Sequence, residues 1–227
     1  MGLWSSVLFL GAAMLTLGGT PVLAQTGTFF TVTYIEVAAT TAGQAANQLK
    51  IYRDTSRRDH GAVRFEVVQR LDRPNQFTVL AVWNNQQSYE AHTQTPHAKA
   101  LHSTLSPTLL APSDTRQHIA ISIGEIKIQR GANVTAVTHV DVIPPQKDNG
   151  VAALETLAEE SRKHFGNLRF DVWQQTNRPN HFTVIETWAN RPNFDSHAGL
   201  IATKHFRDKL AIMTGALYDE RLYRILD

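Results

Sequence analysis

The alternation of hydrophobic and polar positions predicts six elements in the first half of the chain. The segment "FTVTYIEV" alternates with a period of two, as half-buried strands do, and a segment with helical periodicity follows it. Two further strands are separated by "DRPN", which favours a turn because proline fixes φ and asparagine tolerates turn conformations. A helical region, made of a helix from about Gln86 and a second short stretch through about Leu110, and a last strand complete the series. The predicted order is strand, helix, strand, strand, helix, strand, at 30–37, 42–58, 63–70, 77–83, 86–110 and 115–123.

The same series occurs again 105 residues later, since residues 32–121 align with residues 137–226 without a gap. The phrases "RPNQFTVLAVW" and "RPNHFTVIETW" are the clearest match, and each is followed nine positions after its tryptophan by a histidine. An ungapped register over a whole domain length predicts two homologous domains. We place them at 28–123 and 134–227, joined by a linker at 124–133.

This order of elements is that of the ferredoxin-like split unit, in which helices cover one face of a sheet. The other face needs a cover, and the second copy is available in the same chain. We therefore expect an α+β fold of two ferredoxin-like βαββαβ domains, whose sheets pack face to face around a cavity. The expected architecture is an intramolecular pseudo-dimer resembling a dimeric α/β-barrel, with further oligomerisation left open.

Composition narrows the possible functions. With 42% hydrophobic and 19% charged residues, the chain has an ordinary globular composition. The net charge is +2 and the basic residues are scattered, so we expect no nucleic-acid partner. The absence of cysteine excludes disulfides, thiolate catalysis and cysteine-ligated metals. His92, His97 and His102 are spaced by five, about 140° apart on one helix, so no metal face is expected from them.

The first 24 residues have a different character. "LWSSVLFLGAAMLTLGGTPVLA" carries no charge, and small residues cluster toward its end. This pattern predicts a signal peptide over 1–24, cleaved after Ala24, and a periplasmic or secreted protein without stable membrane association. An uncleaved anchor is the alternative, although Gly18, Gly19 and Pro21 interrupt the apolar run.

Strand alternation groups the candidate functional residues. If the smaller β-branched residues pack on the helices, one set of side chains in the second copy converges on the cavity between the sheets: Phe182, Glu186, Trp188, His139 and Asp141. The corresponding set in the first copy is Ala81, Trp83, Tyr34 and Glu36. His92 and His197, early in the helices that follow, are expected near the rim of the cavity.

These residues resemble the antibiotic biosynthesis monooxygenase family of the dimeric α/β-barrel group. That family typically has a third strand ending in Glu-x-Trp and a histidine at the start of the next helix. "FTVIETW…FDSH" matches with Glu186, Trp188 and His197, whereas "FTVLAVW…YEAH" has Ala81 in place of the glutamate. The resemblance covers both repeats. It implies a monooxygenase that needs no cofactor and oxidises a small electron-rich aromatic, a quinol, phenol or anthrone, with O2.

Within that hypothesis a base deprotonates the substrate and the anion reacts with O2. His197 is the first candidate base and His139 the second, oriented by Asp141. Glu186 would accept a hydrogen bond, or act as base if burial raises its pKa. The residues expected to contact the substrate are Trp188, Phe182, Asp141, Trp83, His92 and Tyr34.

The same residues also fit structural roles and two alternative functions. The tryptophans and rim histidines would serve packing alone, and Glu186 would pair with Arg169 or Arg221. A haem-binding or haem-degrading protein is the second hypothesis, with His139, His92 or His197 as axial ligand. Haem-degrading relatives usually carry an asparagine on the first strand, which is missing here. A barrel that only binds a small ligand is the third.

Overall fold

The computed structural model describes residues 27–127, 129, 131 and 133–227. The predicted signal peptide therefore lies outside the described residues. Within them, no helix combines the length and apolar character needed to cross a membrane.

The predicted order of elements is confirmed in both domains. The first domain consists of β1 (Phe29–Glu36), α1 (Ala42–Ser56), β2 (Ala62–Arg70), β3 (Gln76–Trp83), α2 (Gln86–Thr93), α3 (Pro96–Leu105) and β4 (Asp114–Ser122). The second consists of β5 (Val134–Asp141), α4 (Lys147–Arg162), β6 (Asn167–Gln175), β7 (His181–Trp188), α5 (Arg191–Ala198), α6 (Ile201–Ala211) and β8 (Asp219–Ile225).

The helical region after β3 consists of two helices, as predicted, and a cap marks where the second begins. The Thr95 hydroxyl caps α3 by accepting from the backbone N–H of Ala98 at 3.3 Å, and Pro96 occupies the first turn. Both features favour a helix start, because a capping oxygen and a proline satisfy or remove N–H groups that have no helical partner. His92 and His97 therefore lie on different helices, and the angle expected for a single helix does not apply to them.

The strands form one closed barrel in the order β1-β3-β2-β8-β5-β7-β6-β4. The two domain sheets join edge to edge, through antiparallel pairs of β2 with β8 and of β4 with β6. The predicted pseudo-dimer is thus confirmed, and its sheets are continuous at both edges. The two seams pair Val68–Arg70 of β2 with β8 and Val172–Gln175 of β6 with β4, which closes the barrel.

The space inside the barrel is packed with side chains in its middle. The cluster there is formed by Phe30, Val32, Val68, Leu80, Val82, Val137, Trp173, Ile185 and Tyr223. An eight-stranded barrel has an interior just wide enough for such filling. The large cavity that we expected between the sheets is accordingly occupied by core residues.

The predicted assignment of strand faces is wrong. Ile185 belongs to the barrel cluster, whereas Phe182 and Trp188 pack under the helices of the second domain. Both faces of the strands in a closed barrel are buried, and the barrel side also holds large aromatic residues such as Trp173 and Tyr223, so side-chain size does not tell the two faces apart. Glu186 lies on the helix side, opposite Ala136, while His139 pairs with Thr183 on the barrel side. The expected convergence of Glu186 and Trp188 with His139 and Asp141 therefore does not occur.

A buried charge cluster ties the two domains together inside the barrel. The Arg169 guanidinium donates to Asp171 at 2.7 Å and to Glu66, in the other domain, at 2.8 Å. Arg64 donates to Asp171 at 3.3 Å and completes the network. Because Asp171 and Arg169 are almost fully buried, each charge depends on its partners for solvation.

Candidate active sites

The sequence-predicted residues occupy three separate places. Trp83 and His92 line a cavity between the sheet and helices of the first domain. Phe182, Glu186, Trp188 and His197 lie at the equivalent position of the second domain. Tyr34, His139 and Asp141 lie on the barrel side of the sheets, away from both. These three positions do not by themselves assign a catalytic role to any of the predicted residues.

The first-domain cavity has a volume of about 200 Å³. Its walls mix apolar side chains with polar ones, and the polar ones include Thr31, Thr33, Thr93, Thr115, His92 and His102. The lining side chains include Ile35, Tyr52, Phe65, Val79, Ala81, Trp83, Tyr89, His92, Leu101, Leu105 and Ser113.

His92 is placed in this cavity by the local structure. The Asn85 side chain caps α2 by accepting from the N–H of Ser88 at 2.8 Å, so the helix begins at Gln86, three residues after Trp83. His92 then lies in the last turn of α2, and its ring packs against the Trp83 ring with centroids 4.6 Å apart. The indole N–H of Trp83 donates to the Thr31 hydroxyl at 3.4 Å.

A chain of hydrogen bonds runs through His92. The Tyr52 hydroxyl lies 2.7 Å from Nε2 of His92, and Nδ1 of His92 lies 2.6 Å from the Asp59 carboxylate. Since a carboxylate only accepts, Nδ1 carries the proton and Nε2 accepts from Tyr52. His97 donates to the same Asp59 oxygen at 3.0 Å. This arrangement orients a neutral imidazole and supplies a carboxylate to stabilise its protonated form.

Burial lowers the pKa of His92 below its ordinary value, and the hydrogen bond and charge of Asp59 oppose that shift. Burial raises the pKa of Tyr52, so this hydroxyl keeps its proton at neutral pH. His92 is therefore neutral and available as a proton acceptor, with Tyr52 as the group that contacts it from the cavity side.

The second domain arranges its equivalent residues differently. The indole N–H of Trp188 donates to Glu186 at 2.7 Å, and Nε2 of His197 lies 3.6 Å from the same carboxyl oxygen. The rings of Trp188 and His197 stack with centroids 4.6 Å apart. On its other side, His197 Nδ1 lies 3.4 Å from the Thr203 hydroxyl, so this histidine lacks the carboxylate that Asp59 provides to His92.

Burial dominates the electrostatics of this second group. It raises the pKa of Glu186 to about 8 and lowers the pKa of His197 to about 4. Both side chains are therefore neutral at pH 7, and they do not form an ion pair there. The predicted partners of Glu186 are engaged elsewhere, Arg169 with Glu66 and Asp171, and Arg221 with Asp219.

Larger side chains occupy the positions of the second domain that correspond to the cavity. At the shift of 105, Ser113 corresponds to Tyr218, Leu101 to Phe206 and Ala81 to Glu186. Phe206 is buried in the helix-side core, and Glu186 is 3% exposed. Ala81, which stands where the family's glutamate is expected, contributes open volume to the first-domain cavity.

The barrel-side residues form a third group. Tyr34 lies between two guanidinium groups, with Arg116 at 4.9 Å and Arg221 at 5.7 Å from its ring centre. Asp141 lies within 2.8 Å of His139 and within 2.7 Å of His181. The pKa of His139 is lowered, chiefly by burial, and Asp141 opposes the shift. This group borders a pocket of about 600 Å³ at one end of the barrel.

Sequence reasoning missed Tyr52, Asp59, His97 and His181. A usable signal was present for Tyr52, because the repeat aligns it with the apolar Leu157. A polar residue that replaces an apolar one on the buried face of a helix is unusual and points to a site. His97 and His181 depend on tertiary contacts that no local pattern encodes.

A closed barrel of two ferredoxin-like repeats, with a polar cluster under the helices of one repeat, defines a protein of the dimeric α/β-barrel class. Residues 28–104 and 133–209 both match the profile of the antibiotic biosynthesis monooxygenase family. Because these matches cover more than half of the chain, the protein belongs to that family.

Solved structures share the fold across both domains. A proposed monooxygenase from Fusobacterium nucleatum has a TM-score of 0.79 and 13% identity, covering 88% of this chain and 93% of its own. A proposed monooxygenase from Lactobacillus acidophilus has a TM-score of 0.74 and 14% identity, covering 88% and 95%. An anthrone oxidase-like protein has a TM-score of 0.70 and 12% identity, covering 90% and 94%. At these identities the likeness concerns the fold. No curated protein shows significant similarity to the sequence.

Proposed function

We propose that the protein is a monooxygenase that oxidises a small single-ring phenol with O2 in the first-domain cavity, without a metal or organic cofactor. Family membership supports the reaction class. The observation that carries the proposal is the chain from Tyr52 through His92 to Asp59, which ends at the first-domain cavity. Such a site can desolvate a phenol, orient it and accept its proton.

The cavity volume favours one aromatic ring. A cavity of roughly 150 Å³ inside a protein binds benzene, and the first-domain cavity has about 200 Å³. This leaves room for a ring with one or two small substituents, and too little for the three fused rings of an anthrone. The same limit argues against a tetrapyrrole, so the residues of this cavity do not fit haem.

The first step is removal of the phenolic proton. A substrate hydroxyl beside Tyr52 would pass its proton to the tyrosine oxygen while Tyr52 passes its own proton to Nε2 of His92. The Asp59 carboxylate, 2.6 Å from Nδ1, stabilises the imidazolium that results. Trp83 and Phe65 form apolar walls that keep the phenolate poorly solvated and therefore more reducing.

The oxygen step then needs no external reductant. The phenolate gives one electron to O2, and the phenoxyl radical and superoxide combine at the ring carbon opposite the hydroxyl. The peroxide takes the proton stored on His92. Loss of the hydrogen on that carbon as a proton, with cleavage of the O–O bond, yields a quinone and one water. The substrate thus supplies all the electrons, and one atom of O2 enters the product.

Oxygen consumption by EDTA-treated protein tests the proposal with phenols that have a free para position, with naphthols and with anthrone. We expect single-ring phenols to react fastest and the quinone to carry one labelled oxygen from ¹⁸O2. His92→Gln should abolish the rate above autoxidation, and the matched variant His197→Gln should retain it. A rate lost in His197→Gln and kept in His92→Gln would place the chemistry in the second domain instead.

A barrel that only binds a ligand is the alternative if no substrate reacts faster than autoxidation. Export is a further part of the proposal, supported by the charge-free segment 1–24. Amino-terminal sequencing of protein recovered from outside the cytoplasm tests it, with Gln25 expected as the first residue.

A further inference from the structure

The pocket at the end of the barrel contains a cluster that the proposed chemistry does not use. His139 and Asp141 project from β5, and His181 projects from the start of β7, directly opposite Asp141 in the strand register. One potential metal-ligating atom of each side chain lies within 4.8 Å of the other two. The cluster is on the barrel side of the sheet, so it is separated from the first-domain cavity by the sheet itself.

Asp141 is held among these histidines without a hydrogen bond. Its Oδ1 lies 2.8 Å from Nε2 of His139 and 2.7 Å from Nδ1 of His181. Yet this buried oxygen has no hydrogen-bond partner among the described residues, since neither ring N–H points at it. A buried carboxylate oxygen in that condition costs free energy, unless a cation at the same point accepts its lone pair.

Asp59 offers a direct comparison within the same chain. It also lies between two histidines, but His92 and His97 both form hydrogen bonds with it, and the second nitrogen of His92 is taken by Tyr52. The Asp59 cluster is therefore satisfied by protons alone. The Asp141 cluster, with similar composition and distances, is not.

From these contacts we propose that His139, Asp141 and His181 form a binding site for a divalent transition metal ion. Two histidines and one carboxylate are the ligands that Zn²⁺ and Fe²⁺ take in sites with an open coordination position. Ligands bound at about 2.0–2.1 Å in tetrahedral geometry are roughly 3.3 Å apart. The two histidine nitrogens are already 3.4 Å apart, and only Asp141 has to withdraw slightly.

The surroundings leave room for such an ion. The nearest cation is Arg116, 3.4 Å from His139, and Asp114 neutralises it through an ion pair of 2.8 Å. Cation–π contact with Tyr34 also draws the Arg116 guanidinium to the barrel interior. The open coordination position would face the pocket of about 600 Å³, where water or a small anion near Arg178 could complete the shell.

Cobalt and zinc titrations of the intact protein test this site. Co²⁺ bound to nitrogen and oxygen ligands gives visible d–d absorption, and Zn²⁺ binding is followed by calorimetry. We expect His181→Gln and Asp141→Asn each to bind one ion per chain less than the wild type. Loss of outer-shell partners alone weakens metal sites about 10–100-fold, so loss of a ligand should weaken binding by at least about 100-fold.

His97→Gln is the matched control, because it alters the Asp59 cluster and leaves the Asp141 cluster intact. It should retain the d–d band that His181→Gln loses. Circular dichroism verifies that each variant is folded, and the two substitutions on different strands provide independent trials. The proposal is overturned if the wild type binds no ion, or if folded His181→Gln and Asp141→Asn both bind Co²⁺ as the wild type does.

Discussion

Replacing Glu186 with glutamine should make the stability of the protein less dependent on pH. Burial raises the pKa of this carboxyl group from 4.5 to about 8 in the folded protein. Between those values the folded state holds a proton that the unfolded state has released. The free energy of unfolding of the wild type therefore carries a contribution that falls as pH rises from about 4.5 to 8.

The size of this contribution follows from the shift. Each pH unit in that window is worth about 1.4 kcal/mol, so at pH 7 the carboxyl group costs about 3 kcal/mol relative to a neutral group. Glutamine keeps an oxygen that can accept from the Trp188 indole N–H, which lies 2.7 Å from the carboxylate, and it never ionises. The free energy of unfolding of E186Q should therefore exceed that of the wild type by an amount that grows from pH 5 to pH 8 and stays constant above pH 8.

Urea unfolding followed by tryptophan fluorescence at pH 5, 6, 7 and 8 measures this difference. Taking the difference between the two proteins cancels the buried histidines they share, such as His118, whose pKa is lowered to about 3. Glu155→Gln on the exposed face of α4 is the matched control, because it removes no buried carboxyl group. If the free energies of unfolding of E186Q and the wild type differ by the same amount at all four pH values, the assignment of a protonated Glu186 is refuted.

Three further outcomes test other parts of the structure. Arg169→Met leaves Glu66 and Asp171 to share Arg64, so one buried negative charge loses its compensation, and the change should cost about 3 kcal/mol in urea unfolding. Gly166→Ala should lower the free energy of unfolding by more than about 1 kcal/mol, because φ is +81° there and a Cβ would meet the Asn193 side chain at 2.4 Å. Gly43→Ala in α1 should instead raise the melting temperature, because the added Cβ has open space and alanine favours a helix. In the pH profile of oxygen consumption, the fall in rate on the acid side should lie below pH 6.5, because burial lowers the pKa of His92. Asp59→Asn should move this fall to a still lower pH, because Asp59 raises the pKa of His92.

The fold was largely predictable because the information is local and occurs twice. Turn residues and alternation place β2 and β3 within a residue of their observed bounds in both copies. The repeat then implies two similar sheets, and burial of their open faces requires the copies to meet. The two helices after β3 were also predicted, but not the residue at which the second begins, because that start depends on a single cap, Thr95.

The candidate sites were predicted less well, for a physical reason. Alternation states which strand residues share a face, but not which of the two faces meets the helices, because both faces of a closed barrel are buried. Trp188 and Glu186 were correctly grouped, and His139 was wrongly added to them. The partners of His92 come from α1 and the loop after it, and contacts of that kind leave no spacing in the sequence.

The two tryptophan sites differ in which strand carries the acceptor for the indole N–H, and this explains the difference at Ala81 better than the loss of a functional residue does. In the first domain Thr31 faces Ala81 across the sheet, and in the second Ala136 faces Glu186. Each pair thus contains one alanine and one acceptor, and the acceptor takes the indole N–H in both, Thr31 from Trp83 and Glu186 from Trp188. Because Trp83 is satisfied from β1, position 81 can be small, and the volume that a carboxylate would fill becomes part of the cavity. In that copy, which lacks the family's glutamate, His92 pairs with Tyr52 and Asp59 beside the cavity.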